Sequence, residues 1–257
     1  MLVAVIGMGH VGKITAELLM RSHDVVQYDK FVPGLAGRAE VNTCEAAFVC
    51  VPTPMGADGS CDLSIVEEVM GWLTTPVRVI RCTVPPNTCT RFSATHWPEF
   101  YGEWPTPILH GDPWPDNTLL GGPHWSDVAD ILKTCYPSRH IFAGYDDAVV
   151  TEIAKLAENS FFAVKIELAN VLCDVSTALG AKWEHVRNAW TLDPRIGADH
   201  TTVRETERGF GGKCLPKDTT SLLHVAEQCG VSAEILKATL ESNQKRRPLE
   251  SNQKRRP

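Results

Sequence analysis

The chain has 257 residues, 43% of them hydrophobic and 22% charged, a composition typical of a soluble globular protein with one large or two modest domains. The net charge of −6 gives no reason to expect nucleic acid or an anionic membrane as a partner, and no apolar run approaches the roughly 20 residues of a membrane span. Nine cysteines without a CxxC pair indicate neither a disulfide framework nor a zinc site, so we expect thiols in a reducing cytoplasm and no metal.

The first half of the chain alternates short apolar strands with helical segments. The predicted elements, in chain order, are strand Leu2–Ile6, helix His10–Arg21, strand Val25–Asp29, strand Ala46–Val51, helix Leu63–Leu73, strand Val77–Cys82, helix Trp125–Cys135 and strand His140–Ala143. Apolar runs without strict alternation are typical of parallel strands buried on both faces. We therefore predict an α/β fold over residues 1–145, with a doubly wound, Rossmann-type parallel sheet.

The second half is predicted to be an all-helical domain over residues 146–248. Asp146 and Asp147 can cap a helix that runs without Gly or Pro to Leu179, where Gly180 ends it. At 1.5 Å per residue this helix is on the order of 50 Å long. Because a helix this long and apolar often packs against a second copy of itself, we expect a homodimer. Its apolar face comprises Val149, Ile153, Leu156, Ala157, Phe161, Val164, Leu168 and Leu172. Shorter helices are predicted at Trp183–Ala189, Thr219–Cys229 and Ser232–Asn243.

The last 18 residues are a tandem copy, since Leu240–Pro248 and Leu249–Pro257 both read LESNQKRRP. Two copies do not make a solenoid, which needs at least three repeats. We interpret residues 249–257 as a recent duplication or an artefact and assign them no function.

A glycine-rich turn follows the first predicted strand and opens a helix. It has the pattern GxGxxG and comprises Gly7, Met8, Gly9, His10, Val11 and Gly12. Its glycines permit a tight turn and close approach of a pyrophosphate, and the helix N-terminus supplies a positive dipole end. Asp29 lies 22 residues beyond Gly7, where an acid would accept a hydrogen bond from a ribose 2′-hydroxyl. The pattern predicts NAD rather than NADP, because a carboxylate repels a 2′-phosphate, although the adjacent Lys30 weakens that preference.

The most informative stretch of the chain surrounds one cysteine. Residues 209–218 read GFGGKCLPKD and place Cys214 between glycines and the lysines Lys213 and Lys217. Glycines let the backbone bring the sulfur close to a substrate, and the lysines would favour the thiolate. Asp218 could act as a base or orient a water molecule. A buried apolar thiol is the default interpretation of any one cysteine, and only these flanking residues favour a nucleophile at Cys214.

This stretch resembles the active-site motif of the UDP-glucose/GDP-mannose dehydrogenase family, the nucleotide-sugar 6-dehydrogenases. Further segments agree with the family in the same order. They are residues 48–54 (FVCVPTP), 62–64 (DLS), 82–88 (CTVPPNT), 98–100 (PEF) and 192–197 (LDPRIG). Lys155 and Asn159 match the family's KxxxN pair, and their spacing places both on one face of the long helix.

The resemblance implies a four-electron oxidation of a nucleotide sugar with two NAD per turnover. A primary alcohol is oxidised to an aldehyde, to which Cys214 adds to give a thiohemiacetal. A second oxidation gives a thioester, which water hydrolyses. Lys155 and Asn159 would stabilise negative charge that develops on the substrate oxygen.

The resemblance also assigns supporting residues to the reaction and to the cofactor. Asp218, Thr83 and Glu99 would position or deprotonate water, and Glu103 would lie near the sugar and the nicotinamide. The residues assigned to the cofactor site beyond the glycine-rich turn are Asp29, Lys30, Pro52, Thr53, Thr83 and Lys217.

The sequence departs from the family in the parts that recognise the substrate. Members carry a third domain that holds the nucleotide, and we expect it to be missing here, so a separate chain or the dimer partner would supply that surface. The loop before GFGG is the charged stretch 203–208 (VRETER) instead of a Gly/Pro-rich one, and Tyr101-Gly102 replaces Leu-Arg after PEF. The reaction type is therefore better supported than the substrate.

Two alternative functions stay open on the sequence. The β-hydroxyacid dehydrogenases share a Rossmann domain and a Lys–Asn pair on a long helix, and they transfer one hydride from a small hydroxy acid without a cysteine nucleophile. A non-catalytic NAD-binding scaffold is the other alternative, against which the retained Cys214, Lys155, Asn159 and Asp218 argue.

Overall fold

The computed structural model of the chain describes residues 1–100 and 117–247. Three features of the sequence, Tyr101-Gly102, Glu103 and the repeated tail 249–257, lie outside the described residues. The chain divides into two compact units, unit 1 (Met1–Lys155) and unit 2 (Leu156–Pro257). Among the helices described, none combines the length and the apolar character needed to cross a membrane.

Within the described residues, unit 1 is built on one sheet of seven strands. The strands are β1 (Leu2–Ile6), β2 (Asp24–Tyr28), β3 (Ala46–Val49), β4 (Val77–Ile80), β5 (Thr95–His96), β6 (Asn117–Gly121) and β7 (Ile141–Tyr145). Their order is β2-β1-β3-β4-β5-β6-β7, and neighbours are parallel except for β5 and β6, which pair antiparallel at His96 and Gly121. The predicted α/β fold with a Rossmann-type sheet is confirmed.

Helices cover both faces of this sheet, as a doubly wound fold requires. The helices of unit 1 are α1 (His10–Leu19), α2 (Arg38–Val41), α3 (Ser64–Trp72), α4 (Thr88–Arg91), α5 (Trp125–Lys133) and the start of α6 (Ala148–Ala178). Val3 and Val5 of β1 pack in one apolar cluster with α1 and α5, whereas Ala4 and Ile6 pack in a second cluster with α3. Because successive strand side chains point to opposite faces, both faces of β1 are apolar.

Four short elements of unit 1 are absent from the predicted set. They are α2, α4, β5 and β6. Helices α2 and α4 and strand β5 have two to four residues, which is too short for a hydrophobic period to identify them. Strand β6 has five residues, but only Leu119 and Leu120 are large and apolar.

Unit 2 contains the rest of α6 together with α7 (Trp183–Trp190), α8 (Leu215–Gln228) and α9 (Glu234–Arg246). Helix α8 begins four residues before the predicted Thr219. Pro216 lies in its first turn, where a proline is tolerated because the missing N–H has no partner in the helix anyway. The whole motif from Cys214 to Asp218 therefore lies at a helix N-terminus.

The ends of α6 agree with the predicted cap and stop, with one correction. Asp147 accepts a hydrogen bond from Val149 N at 2.9 Å, but Asp146 accepts one from Trp125 Nε1, so only Asp147 caps the helix. Gly180 adopts φ +74°, and Ala181 N donates to Ser176 O at 2.8 Å. This is the 6→1 bond of a Schellman motif, which closes the helix.

The predicted apolar face of α6 is divided in the structure. Leu156 is buried, whereas Phe161 and Leu168 are 60% and 48% exposed. Val175, which lies outside the predicted face, is 50% exposed. These three side chains are spaced by seven residues and so share one stripe of the helix. The homodimer remains a prediction, and this stripe is the surface to which it applies.

Candidate functional site

The glycine-rich turn of unit 1 has the geometry that close approach of a dinucleotide requires. Gly7 has φ +90°, and a Cβ on it would lie 2.8 Å from Cys50 O. A Cβ on Gly12 would lie 1.8 Å from Gly7 O, so any other residue there would push α1 away from the strand. A Cβ on Gly9 would meet nothing within 4 Å. The turn is therefore packed tightly on the protein side and open at Gly9, where a pyrophosphate can reach the start of α1.

Asp29 lies directly against this turn, as the spacing predicts. Its Oδ2 accepts a hydrogen bond from Met8 N at 2.7 Å, and its Oδ1 accepts one from Phe31 N at 2.9 Å. Each carboxylate oxygen retains acceptor capacity, so a ribose hydroxyl can still donate to Asp29. The side chain of Lys30 pairs with Glu68 at 3.1 Å.

Two other predicted cofactor residues meet at the carboxyl edge of the sheet. Thr53 follows β3 and Thr83 follows β4, and Thr53 Oγ1 donates to Thr83 O at 2.8 Å. Pro52, next to this pair, is exposed. The carboxyl edge of parallel strands is where open α/β sheets bind ligands.

Lys155 and Glu99 lie together in unit 1. Lys155 Nζ is 3.9 Å from Glu99 Oε1, and their side chains are 5% and 17% exposed. The ammonium group also lies 4.8 Å from the centroid of the Phe100 ring. A buried cation with a carboxylate nearby can stabilise an oxyanion or take part in proton transfer.

Cys214 is the N-cap residue of α8 in unit 2. Its side chain is half-buried. At this position the peptide dipoles of the helix favour a negative charge. The lysine that precedes it, Lys213, is exposed.

Asp218 lies one turn into α8 and is 1% exposed. Its Oδ2 accepts a hydrogen bond from Asn159 Nδ2 at 2.5 Å, and its Oδ1 accepts one from Lys217 Nζ. Its backbone N donates to Cys214 O at 2.8 Å. Within unit 2, Asp218 thus contacts Cys214, Lys217 and Asn159. The ammonium group of Lys217 forms its ion pair with Asp218.

The glycine loop before Cys214 is held by a side chain that the sequence did not single out. Asn243 of α9 is buried; its Oδ1 accepts from Phe210 N at 2.7 Å, and its Nδ2 donates to Phe210 O at 2.9 Å. Gly209 adopts φ +70°, and a Cβ there would lie 2.3 Å from Asn243 Oδ1. A side chain at Gly209 would collide with Asn243 of α9, which explains the glycine at this position of the loop.

The charged stretch 203–208 makes its ion pairs within unit 2. Arg204 pairs with Glu207 at 3.1 Å. Arg208 donates to Asn170 Oδ1 at 2.8 Å and pairs with Asp174. Arg208 thus anchors the start of the glycine loop to α6.

Glu152 of α6 is, like Asn243, a residue that no sequence motif identifies, and it is fully buried in unit 1. Its two oxygens accept from Asn87 N and Cys89 N, each at 2.7 Å, and burial raises the pKa of its carboxyl group. It thereby fixes the segment that follows Thr83. No short-range pattern identifies Glu152 or Asn243, because each is a single polar residue whose partner lies far away in sequence.

Within residues 1–100 and 117–247, no group of three or more His, Cys, Asp or Glu side chains is placed to hold a metal ion. All nine cysteines lie in these ranges, and all are free thiols. Burial raises the pKa of the Cys50 thiol to about 11. Cys50 therefore has the properties of a core residue rather than of a nucleophile.

Comparison with known proteins places both units in one family. Residues 35–99 match the NAD binding domain of the UDP-glucose/GDP-mannose dehydrogenase family, and residues 149–245 match its central domain. The UDP-glucose 6-dehydrogenase of Rickettsia bellii is 30% identical over 226 residues, which cover 80% of this chain and 51% of that protein. The UDP-glucose 6-dehydrogenase TuaD of Bacillus subtilis is 26% identical, over 95% of this chain and 63% of that protein.

A solved structure agrees with these relatives. The UDP-glucose dehydrogenase from the hyperthermophilic archaeon Pyrobaculum islandicum matches with a TM-score of 0.80 and 26% identity, over 95% of this chain and 68% of that one. The chain spans about half the length of the first curated relatives that it matches. The match to the NAD binding domain identifies NAD as the cofactor of unit 1. The chain therefore belongs to the UDP-glucose/GDP-mannose dehydrogenase family.

Proposed function

We propose that the chain is an NAD-dependent dehydrogenase that oxidises the primary alcohol of a nucleotide sugar, of the UDP-glucose type, to the carboxylate. The observation that carries this proposal is the position of Cys214 at the N-terminus of α8, one turn before the buried Asp218, which holds Asn159 and Lys217. A two-electron dehydrogenase has no use for a cysteine in this setting. The names of the relatives supply the class of substrate.

The residues of unit 1 fit NAD. Gly9 leaves the start of α1 open, Asp29 retains acceptor capacity for the ribose, and Thr53 and Thr83 lie at the carboxyl edge of the sheet. NAD held by these residues would supply the hydride acceptor for each of the two oxidations, which would consume two NAD per turnover.

In the first oxidation, Lys155 and Asn159 act on the substrate hydroxyl. Removal of hydride from the alcohol carbon requires that the hydroxyl oxygen lose its proton. Lys155 is held near Glu99, at 3.9 Å, and its positive charge stabilises the oxyanion as the proton leaves. Asn159 donates to Asp218, which fixes the orientation of its amide.

Cys214 then carries the substrate through the second oxidation. Its Sγ attacks the aldehyde carbon, and the carbonyl oxygen takes up a proton, which gives a thiohemiacetal. Loss of hydride from that carbon and of the proton from its hydroxyl gives a thioester. Attack by water breaks the C–S bond, releases the carboxylate and regenerates the Cys214 thiol.

Carboxylates and a threonine serve the hydrolytic step. One of the carboxylates Asp218 and Glu99 accepts the proton from the attacking water, and the other carboxylate and Thr83 help to position that water. We also assign Glu103, next to the sugar and the nicotinamide, to this reaction. Its position lies outside the described residues.

We further propose that the protein acts as a homodimer through the exposed stripe of α6, formed by Phe161, Leu168 and Val175. A reducing cytoplasm suits the proposal, because the nine cysteines are free thiols and Cys214 must stay reduced to act.

The test measures NADH formed per molecule of UDP-glucose consumed, with wild type compared with Cys214→Ala. We expect about two NADH per sugar in the wild type and loss of acid formation by roughly a thousandfold or more in the variant, because the nucleophile is removed. Cys229→Ala is the matched control, since Cys229 is an exposed thiol at the end of the same helix, and it should behave as wild type.

Two other results would replace the proposal. One NADH per turnover from a small hydroxy acid, unaffected by Cys214→Ala, would move the protein to the β-hydroxyacid class. NAD binding without turnover on any nucleotide sugar, even with candidate partner chains added, would indicate a non-catalytic role.

A further inference from the structure

A cluster of charged side chains lies at the edge of the cofactor site, beside the end of β2. Lys30, which follows Asp29, has its Nζ 3.1 Å from both carboxylate oxygens of Glu68. Arg38 donates to Glu68 Oε1 from Nη2 at 2.7 Å. One carboxylate of α3 therefore pairs with two cations, Lys30, which follows Asp29 in the sequence, and Arg38, which also contacts the side chain of Tyr28, the residue before Asp29.

These two cations occupy the region that distinguishes NAD from NADP in dinucleotide-binding folds. In such folds an acid after the second strand accepts from the ribose 2′-hydroxyl, or an arginine nearby accommodates a 2′-phosphate. This chain has both kinds of group at this place. Asp29 favours NAD, whereas Lys30 and Arg38 would attract a 2′-phosphate, which carries a charge of about −1.5 to −2 near neutral pH.

Arg38 is fixed in place by contacts other than its ion pair. Its Nε donates to Tyr28 Oη at 3.2 Å, and its guanidinium carbon lies 5.1 Å from the centroid of the Trp72 ring. The rings of Tyr28 and Trp72 pack edge to face at 5.3 Å. The arginine therefore stays at the end of β2 whether or not Glu68 carries a charge.

We propose that Glu68 is a specificity-determining residue, which enforces the preference for NAD over NADP by engaging Lys30 and Arg38. The inference deepens the proposed function and rests on its dinucleotide site. With Glu68 ionised, the cations have a carboxylate as partner, and Asp29 decides the outcome at the ribose. Without that charge, the same two side chains form a fork that can bind a phosphate.

The ionisation of Glu68 agrees with this role. Its hydrogen bond with Lys30, together with Arg38, lowers the pKa of its carboxyl group, so the side chain keeps its charge throughout the neutral range. All three side chains are about half exposed, between 42% and 55%. Such pairs contribute little to stability, so substitutions here leave the fold intact.

The test compares binding of NAD and of NADP to the full chain by calorimetry, without turnover. In Glu68→Gln we expect the affinity for NADP to rise about three- to tenfold relative to that for NAD, the effect of one surface charge near a phosphate. The gain should shrink at about 0.5 M salt, where the Debye length is only a few ångströms. Adding Arg38→Ala to Glu68→Gln should remove most of it.

Glu67→Gln is the matched control. Glu67 is the neighbour of Glu68 on α3, with similar exposure, but it pairs with Arg91 at 2.7 Å. An equal change in the NADP-to-NAD ratio in both variants, or no change in Glu68→Gln, would overturn the assignment of Glu68 while NAD binding still supports the proposed site. A wild-type chain that binds neither dinucleotide would overturn the inference together with the proposed cofactor site.

Discussion

His96 is a fully buried base in β5. Its Nδ1 lies 2.9 Å from Thr151 Oγ1 of α6, a contact that ties the short strand to the long helix inside unit 1. Burial lowers the pKa of His96 to about 3, because the imidazolium would lose its hydration without gaining a counter-charge. The side chain is therefore neutral in the folded protein throughout the neutral pH range.

This shift has a consequence for stability in acid. An unfolded histidine has a pKa near 6.5, so between about pH 6.5 and pH 3 the unfolded chain binds a proton that the folded chain does not. The stability contributed by neutral His96 is complete above pH 6.5 and is lost as the pH falls towards 3. The expected slope is up to about 1.4 kcal/mol per pH unit for this one group.

We predict that His96→Asn flattens the pH dependence of unfolding in that window. The amide can keep the contact with Thr151 but takes up no proton. Urea unfolding at several pH values between 4 and 7 measures the slope for wild type and variant. The comparison uses slopes because the variant also loses packing and will be less stable throughout. Parallel slopes in the two proteins would contradict the prediction.

At the scale of elements, the loop before Cys214 depends on α9. The amide of Asn243 pairs with both the N–H and the C=O of Phe210, as a neighbouring strand would. Gly209 adopts φ +70°, and a Cβ on it would lie 2.3 Å from Asn243 Oδ1, so the absence of a side chain lets the backbone lie close to α9. The loop that leads to Cys214 is thus held by a side chain 33 residues beyond Phe210 in the chain.

We predict that Asn243→Ala loosens this loop. The variant leaves the backbone groups of Phe210 without their partner, which should lower the free energy of unfolding by about 1–3 kcal/mol. It should also change the rate at which a thiol reagent labels Cys214 by severalfold. Gln244→Ala, which removes an amide from the adjacent exposed position, should change stability by less than about 0.5 kcal/mol and leave the labelling rate unchanged. Equal effects of the two substitutions would exclude the role given to Asn243.

Elements with a full hydrophobic period were predictable from the sequence, and those defined by distant partners were not. Strand β1 matches its predicted bounds, and α6 lies within its predicted range, because apolar patterning and local caps define them. Strand β5 has two residues and owes its place to pairing with β4. The predicted helix Thr219–Cys229 lacks the first turn of α8, which contains Pro216, a residue that the first turn of a helix accommodates.

The same distinction between local patterns and distant partners applies to the residues of the candidate site. The glycine-rich turn and its contact with Asp29 follow from a local pattern whose geometry is nearly fixed. The roles of Glu152, Asn243 and Glu68 depend on side chains that meet residues 30 to 65 positions away, which no local period encodes. The sequence predicts that Lys217 favours the Cys214 thiolate. In the structure its ammonium group forms an ion pair with Asp218, a partner that the sequence did not indicate.

At the scale of the whole molecule, the long helix α6 exposes a stripe of apolar side chains to solvent. Phe161, Leu168 and Val175 repeat every seven residues and remain 48–60% exposed in the single chain. A seven-residue apolar repeat on a helix is the pattern that packs against a second helix. Three large apolar side chains on one stripe favour self-association over exposure to water.

We predict that Leu168→Lys weakens the proposed dimer by at least about tenfold, because association would bury a charge without a partner. The variant should still fold, since the position is exposed in the single chain and lysine is a good helix former. Thr177→Lys is the matched control, because Thr177 is exposed on the same helix and lies on the opposite side from the stripe. Sedimentation equilibrium over a range of concentrations gives the dissociation constants, and circular dichroism checks the helix content. A dimer equally strong in both variants would place the interface elsewhere, whereas a monomeric wild type would leave the exposed stripe of α6 without the partner we assign to it.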